Sequence, residues 1–154
     1  MKIRKAKGKD LKPIHRLINE SNRDAYGDII PEDVFKDPIL TMDELEEFFK
    51  ELEFYVYEEN EKILGVAGLK TGLDGTGKVR WVHVSPDYRR EGIGRKLIGE
   101  LEKEAEEKDL EKLRVKYVHE NADWAKAFYS SLGYEKIGKT SHPQGECFEY
   151  EKEI

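Results

Sequence analysis

Cysteine occurs once in this 154-residue chain, at Cys147, and glutamine once, at Gln144. A lone thiol excludes an internal disulfide framework and suits a reducing, cytoplasmic compartment. Scarce amides beside 39% charged residues match thermostable proteins whose surfaces carry ion-pair networks. No apolar run approaches the ~20 residues of a membrane span, and Met1-Lys2-Ile3-Arg4-Lys5 leads into no signal-peptide core. A basic excess is missing too. The net charge of -6 argues against general nucleic-acid binding, which needs Lys and Arg to displace counterions. The histidines, His15, His83, His119 and His142, share no metal-site spacing, so no metal is expected. What is present, 38% hydrophobic residues, fills one core, and a single domain over residues 1–154 follows.

The chain begins with a strand at residues 2–6 and a helix capped by Asp10, whose apolar face is Leu11, Ile14, Leu17 and Ile18. Beyond Asn19 the periodicity dissolves, which predicts a short helix broken by loops. Thr41-Met42-Asp43-Glu44 is a capping box opening a helix with Leu45, Phe48, Phe49 and Leu52 on one face. Phe54 to Glu58 and Ile63 to Leu69 read as a hairpin, and a third antiparallel strand ends at Val84. A helix over residues 92–108 then leads to a strand from Leu113 to Val118, which must lie parallel to its predecessor after a right-handed crossover. A helix around Trp124, Phe128 and Leu132 stops at Gly133, and strands at residues 134–137 and 147–151 finish the sheet.

The most informative stretch is Arg89-Arg90-Glu91-Gly92-Ile93-Gly94, which lies between the strand Val79 to Val84 and a periodic helix of Ile93, Leu97, Ile98, Leu101 and Ala105. The first N–H groups of that helix lack intrahelical partners, and the macrodipole places positive potential there, so phosphate oxygens find donors and field together. Arg89, Arg90, Arg95 and Lys96 add charge around the same turn. The bland alternative is a glycine turn that only permits close helix packing.

The pattern V-x-V-x-P followed by R-x-x-G-x-G, with Phe128-Tyr129-Ser130-Ser131-Leu132-Gly133-Tyr134 downstream, resembles the GCN5-related N-acetyltransferases (the GNAT superfamily). The resemblance is specific over residues 78–137. It implies a mixed α/β fold: a mostly antiparallel central sheet with two splayed parallel strands, flanked by helices. It also implies acetyl-CoA as cosubstrate and direct acetyl transfer to a primary amine, on a small molecule or a protein, through a tetrahedral intermediate. The resemblance implies no covalent enzyme intermediate. By the same resemblance Arg89, Arg90, Glu91, Gly92, Ile93, Gly94 and Arg95 meet the pyrophosphate, main-chain groups at Val82, His83 and Val84 meet pantetheine and the thioester oxygen, and Phe128 adjoins the cofactor. Tyr129 stands beside the sulfur as the acid for the departing thiolate. Asn121 is the matching candidate for a cofactor-binding asparagine of the family, but it lies eight residues before Tyr129 rather than seven, and Ala122 holds the usual place.

A base for the acceptor amine is sought among His83, on the strand beside the thioester, and His119 and Glu120, after the partner strand; a water relay is the alternative. An acidic protein attracts cationic acceptors, and residues 22–41 with the loop after Thr140 are expected to bind them. A catalytically silent CoA-binding module is a competing reading, and the protein is expected to be a monomer or homodimer. Gly133-Tyr134-Glu135-Lys136-Ile137-Gly138-Lys139-Thr140 also fits the phosphate-loop formula G-x-x-x-x-G-K-[ST], which admits a nucleoside triphosphatase on letters alone.

Overall fold

The computed structural model describes residues 2–154. Seven strands form one sheet: β1 (Lys2–Lys5), β2 (Glu53–Glu59), β3 (Lys62–Thr71), β4 (Thr76–Val84), β5 (Lys112–His119), β6 (Glu135–His142) and β7 (Gly145–Glu153). Their spatial order is β1-β2-β3-β4-β5-β7-β6. Every neighbouring pair is antiparallel except β4 with β5. The expected mixed sheet with one parallel pair is therefore what the chain adopts.

Helices α1 (Leu11–Tyr26) and α2 (Met42–Glu51) cover one face of the sheet, while α3 (Ile93–Glu107) and α4 (Asp123–Ser131) lie on the other. Two cores result. Ile14, Leu17, Ile18, Leu40, Leu45, Phe54, Val56 and Val66 pack on the α1/α2 side. Leu97, Ile98, Leu101, Ala105, Leu113 and Val115 pack beneath α3. Each fully buried Leu or Ile contributes about 1.5–3 kcal/mol by leaving water.

Several local expectations change. Helix α1 does not break after Asn19 but runs to Tyr26. Its later polar residues, Asn19, Ser21 and Asn22, are themselves buried. Asn19 is satisfied by donating to the carbonyls of His15 and Leu40 and accepting from the Leu40 amide. Asp10 gives α1 no side-chain cap. It accepts from the Lys7 amide and receives both terminal nitrogens of Arg4, at 2.8 and 2.9 Å. Thr41 does form the expected capping box with Glu44.

The triphosphatase reading fails on geometry. Residues 136–140, the heart of the loop formula, lie in strand β6 in register with β7, with Lys139 opposite Phe148 and Thr140 opposite Cys147. Their main chain serves a ladder, and a turn into β7 follows where a phosphate loop opens a helix.

Candidate active site

Pairing between β4 and β5 covers only Thr76↔Lys112, Gly77↔Leu113, Lys78↔Arg114 and Val79↔Val115. Beyond that last rung both strands bulge. On β4, Arg80 faces Gly68 and His83 faces Val66, so Trp81 and Val82 together oppose Ala67. On β5, Val115 faces Tyr150 and Val118 faces Phe148, leaving Lys116 and Tyr117 opposite Glu149. Two bulges at one level bend the strands apart, and a slit opens toward their carboxyl ends. Trp81 carries the strain, with φ 58°, a region costly for an aromatic residue and concentrated at functional sites. The bulge also changes which residues share a face. Arg80 and Trp81 both lie toward α2, while Val82 and Val84 return to the α3 side.

The strand edge along this slit supplies donors and acceptors. The Ser85 amide donates to the Leu64 carbonyl, so by alternation Val84 directs its own main-chain groups away from β3 and into the slit. At its open end stands the turn from Arg89 to Gly94. Arg90 (φ 69°) and Gly92 (φ 80°) take left-handed conformations, and Gly92 caps α3 with no side-chain bond to the helix's first amides. Left-handed residues of this kind are found in the nests of main-chain N–H groups that bind anions. The two glycines have different roles. A Cβ on Gly92 would meet nothing within 4 Å, so its requirement is torsional; one on Gly94 would come within 3.3 Å of Phe128 Cζ. Glycine at 94 lets Phe128 and Val84 close against the turn.

The flanking arginines are not equivalent. Arg89 is taken up by α1, where it bonds Asp24 and donates to the Ser21 carbonyl and hydroxyl. Arg95 reaches Ser131 Oγ at 3.3 Å. Arg90 meets no carboxylate within 4.0 Å among the described residues.

Tyr129 is 6% exposed, and its ring contacts those of Phe128, Tyr134 and Tyr150. Burial, reinforced by Tyr26 nearby, holds its phenol above the ordinary tyrosine range and therefore protonated. Tyr26 itself packs against Trp124 with the rings tilted at 58° and their centroids 5.5 Å apart. Desolvation, with a smaller contribution from Cys147, pushes its phenol up to about 12. Burial followed by the charge of Glu120 raises the Cys147 thiol, which keeps it un-ionised.

His83, His119 and Glu120 have distinct environments. Ser21 Oγ accepts from Arg89 and shares a hydrogen bond of 3.0 Å with His83 Nδ1, whose direction follows the imidazole tautomer. Burial, with Arg89 adding to it, lowers the His83 pKa to about 4. His119 is buried, with Nδ1 accepting from the Asn121 amide and Nε2 donating to the Gln144 carbonyl. Glu120 accepts the Glu146 amide on Oε2. Asn121 spends its side-chain amide on the Ile29 carbonyl at 3.0 Å, which ties the loop after β5 to the segment after α1. Sequence periodicity offered no sign of Ser21 or Tyr26, because both sit where the apolar pattern of α1 had lapsed.

The acetyltransferase (GNAT) family model matches residues 14–134. The chain belongs to that family. The PaiA N-acetyltransferase of Thermoplasma acidophilum, solved with coenzyme A, is similar at TM-score 0.87 and 23% identity, over 99% of this chain and 98% of that one. A Brucella melitensis ribosomal-protein-alanine N-acetyltransferase gives TM-score 0.80 at 18% identity, with all of both chains covered. A GCN5-related N-acetyltransferase from Kribbella flavida gives 0.79 at 18%, over 99% and 97% of the two chains. No curated protein sequence matches the chain significantly. This GNAT enzyme is thus an acyltransferase by family, and no helix in it is long and apolar enough to cross a membrane among the described residues.

Proposed function

We propose that the protein transfers an acetyl group from acetyl-CoA directly to a primary amine. The observation that carries this reading is the slit beyond Val79 and Val115, open along β4 and headed by the left-handed turn at Arg90 and Gly92. Pyrophosphate fits the amides of residues 92–95 and the Arg90 side chain; pantetheine fits the main-chain edge at Val84 as a strand would. Arg89, held by α1, positions the turn instead of meeting the phosphates.

The amine nitrogen attacks the thioester carbon, and an N–H from the β4 edge stabilises the resulting oxyanion. When the C–S bond breaks, the sulfur leaves with the bonding pair and takes the Tyr129 proton. Burial suits Tyr129 to this because it keeps the phenol protonated.

The amine's own proton goes to Glu120. His83 is the weaker candidate, since its Nδ1 already faces the Ser21 hydroxyl. Glu120 is anchored through one oxygen on the Glu146 amide, which leaves the second for substrate. Asn121, engaged by Ile29, is assigned no contact with CoA.

The test is thiol release from acetyl-CoA with a pooled amine library, alongside thermal unfolding with CoA or with ATP and magnesium. CoA should raise the melting temperature and amines should accelerate release. CoA stabilisation without amine-dependent release would instead indicate a silent CoA-binding module.

A further inference from the structure

At the closed end of the slit, on the sheet face opposite α3, lies a cavity of about 150 Å³. Five cations border it, Lys70, Lys78, Arg80, Arg114 and Lys116, against a single carboxylate, Glu51. Arg114 is neutralised by Glu151 at 2.9 Å. For the other four no carboxylate lies within 4.0 Å among the described residues. This is an unusual neighbourhood in a chain of net charge -6, because acidic residues outnumber basic ones elsewhere and would ordinarily pair with them.

Arg80 is the centre of the arrangement. Its guanidinium carbon lies 4.9 Å from the Phe48 ring centroid, 5.2 Å from that of Trp81 and 4.8 Å from that of Tyr117. The Tyr117 contact reaches from β4 to β5 across the fork. Three aromatic rings surround the guanidinium by cation–π attraction, and with no carboxylate partner among the described residues its N–H donors are left for another acceptor. A planar fork of this kind matches a carboxylate or phosphate in bidentate fashion. Arg80 precedes Val82 by two residues, about 7 Å along a strand, so an anion held there sits within one small molecule's length of the reacting carbonyl.

We infer that the acceptor is an amine that also carries a carboxylate or phosphate, with its anion on Arg80, Lys78 and Lys116 and its nitrogen directed into the slit. This rests on the proposed acetyl transfer and reverses the expectation, drawn from net charge, that the acceptor is cationic. Charge local to the site governs recognition there, since screening confines each group's influence to roughly 8–10 Å.

The test is calorimetric titration of the CoA-saturated protein with four amines of similar length: 4-aminobutyrate, O-phosphoethanolamine, butylamine and 1,4-diaminobutane. At least one of the two anionic amines should bind about 10- to 100-fold more tightly than butylamine, and the better of them identifies the anion. Arg80→Gln, and separately the surface pair Lys78→Glu with Lys116→Glu, should remove that advantage without weakening butylamine binding. Equal or tighter binding of butylamine or 1,4-diaminobutane overturns the inference, as does an anion preference that survives both sets of substitutions. The preceding CoA titration tests the underlying reading by itself: failure to bind CoA sinks acetyl transfer, whereas failure of the anions leaves it standing.

Discussion

Glu120 and Glu146 are joined twice: the Glu120 amide donates to the Glu146 carbonyl at 2.8 Å, and the Glu146 amide donates to the Glu120 carboxylate. The second bond makes Glu120→Gln a clean experiment, because a glutamine oxygen can still accept from the Glu146 amide while the side chain can no longer take a proton. Turnover should fall about 100-fold or more with thermal stability and CoA affinity near wild type. A full-rate Glu120→Gln enzyme would return the proton to water or to His83.

Tyr129→Phe should reduce kcat about 100-fold and leave the dissociation constant for CoA within a factor of two or so by calorimetry, because the hydroxyl acts when the thiolate forms and not when the cofactor docks. Stability should hold, as the ring keeps its contacts with Phe128, Tyr134 and Tyr150. Unchanged kcat removes Tyr129 from the mechanism.

At the turn, Gly92→Val should weaken CoA binding more than Gly92→Asn. Nothing lies within 4 Å of a Cβ built there, so the difference is torsional: asparagine tolerates φ near 80°, whereas a β-branched residue resists it. Equal affinity in the two variants would show that residue 92 does not shape the nest. Gly94→Ala acts by another route, pressing on Phe128.

Acid should destabilise the protein well before its carboxylates titrate. The folded pKa of His83 is about 4 and its ordinary value 6.5, so between these pH values the unfolded chain binds a proton that the native state excludes. The contribution is fully present above about pH 6.5 and is lost as the pH falls toward 4, by about 3 kcal/mol in all. Urea unfolding across that range should reveal the slope, and His83→Asn should flatten it. Asp10, held below the usual carboxylate range chiefly by Arg4, acts in a lower window: its contribution is present above pH ~3.9 and is lost only as the pH falls through its depressed pKa.

The framework was legible in the sequence because its signals are local. The Thr41 box, the glycine stop at Gly133 with φ 92° and the 3.6-residue stripe from Ile93 to Ala105 each need only neighbouring residues to be read. The parallel step from β4 to β5 followed from the intervening helix. The continuation of α1 did not, because Asn19 and Ser21 owe their burial to Leu40, His83 and Arg89, partners 21 to 68 residues away. The paired bulges were equally hidden: Trp81 and Tyr117 look like ordinary strand residues until the register with β3 and β7 is known. The positions of Arg89 and Asn121 likewise depended on which distant oxygen, that of Ser21 or of Ile29, came within reach.

Ser21 joins two parts of the site. One buried hydroxyl on α1 meets both the imidazole of β4 and the guanidinium that steadies the phosphate turn. If an acceptor shifts α1, the proposed mechanism predicts that Arg89 moves with it, and that a turn tightened around a diphosphate draws on α1 in return. Under the proposed acetyl transfer the affinities of the two substrates should therefore be linked through that oxygen, each changing the other by the same factor.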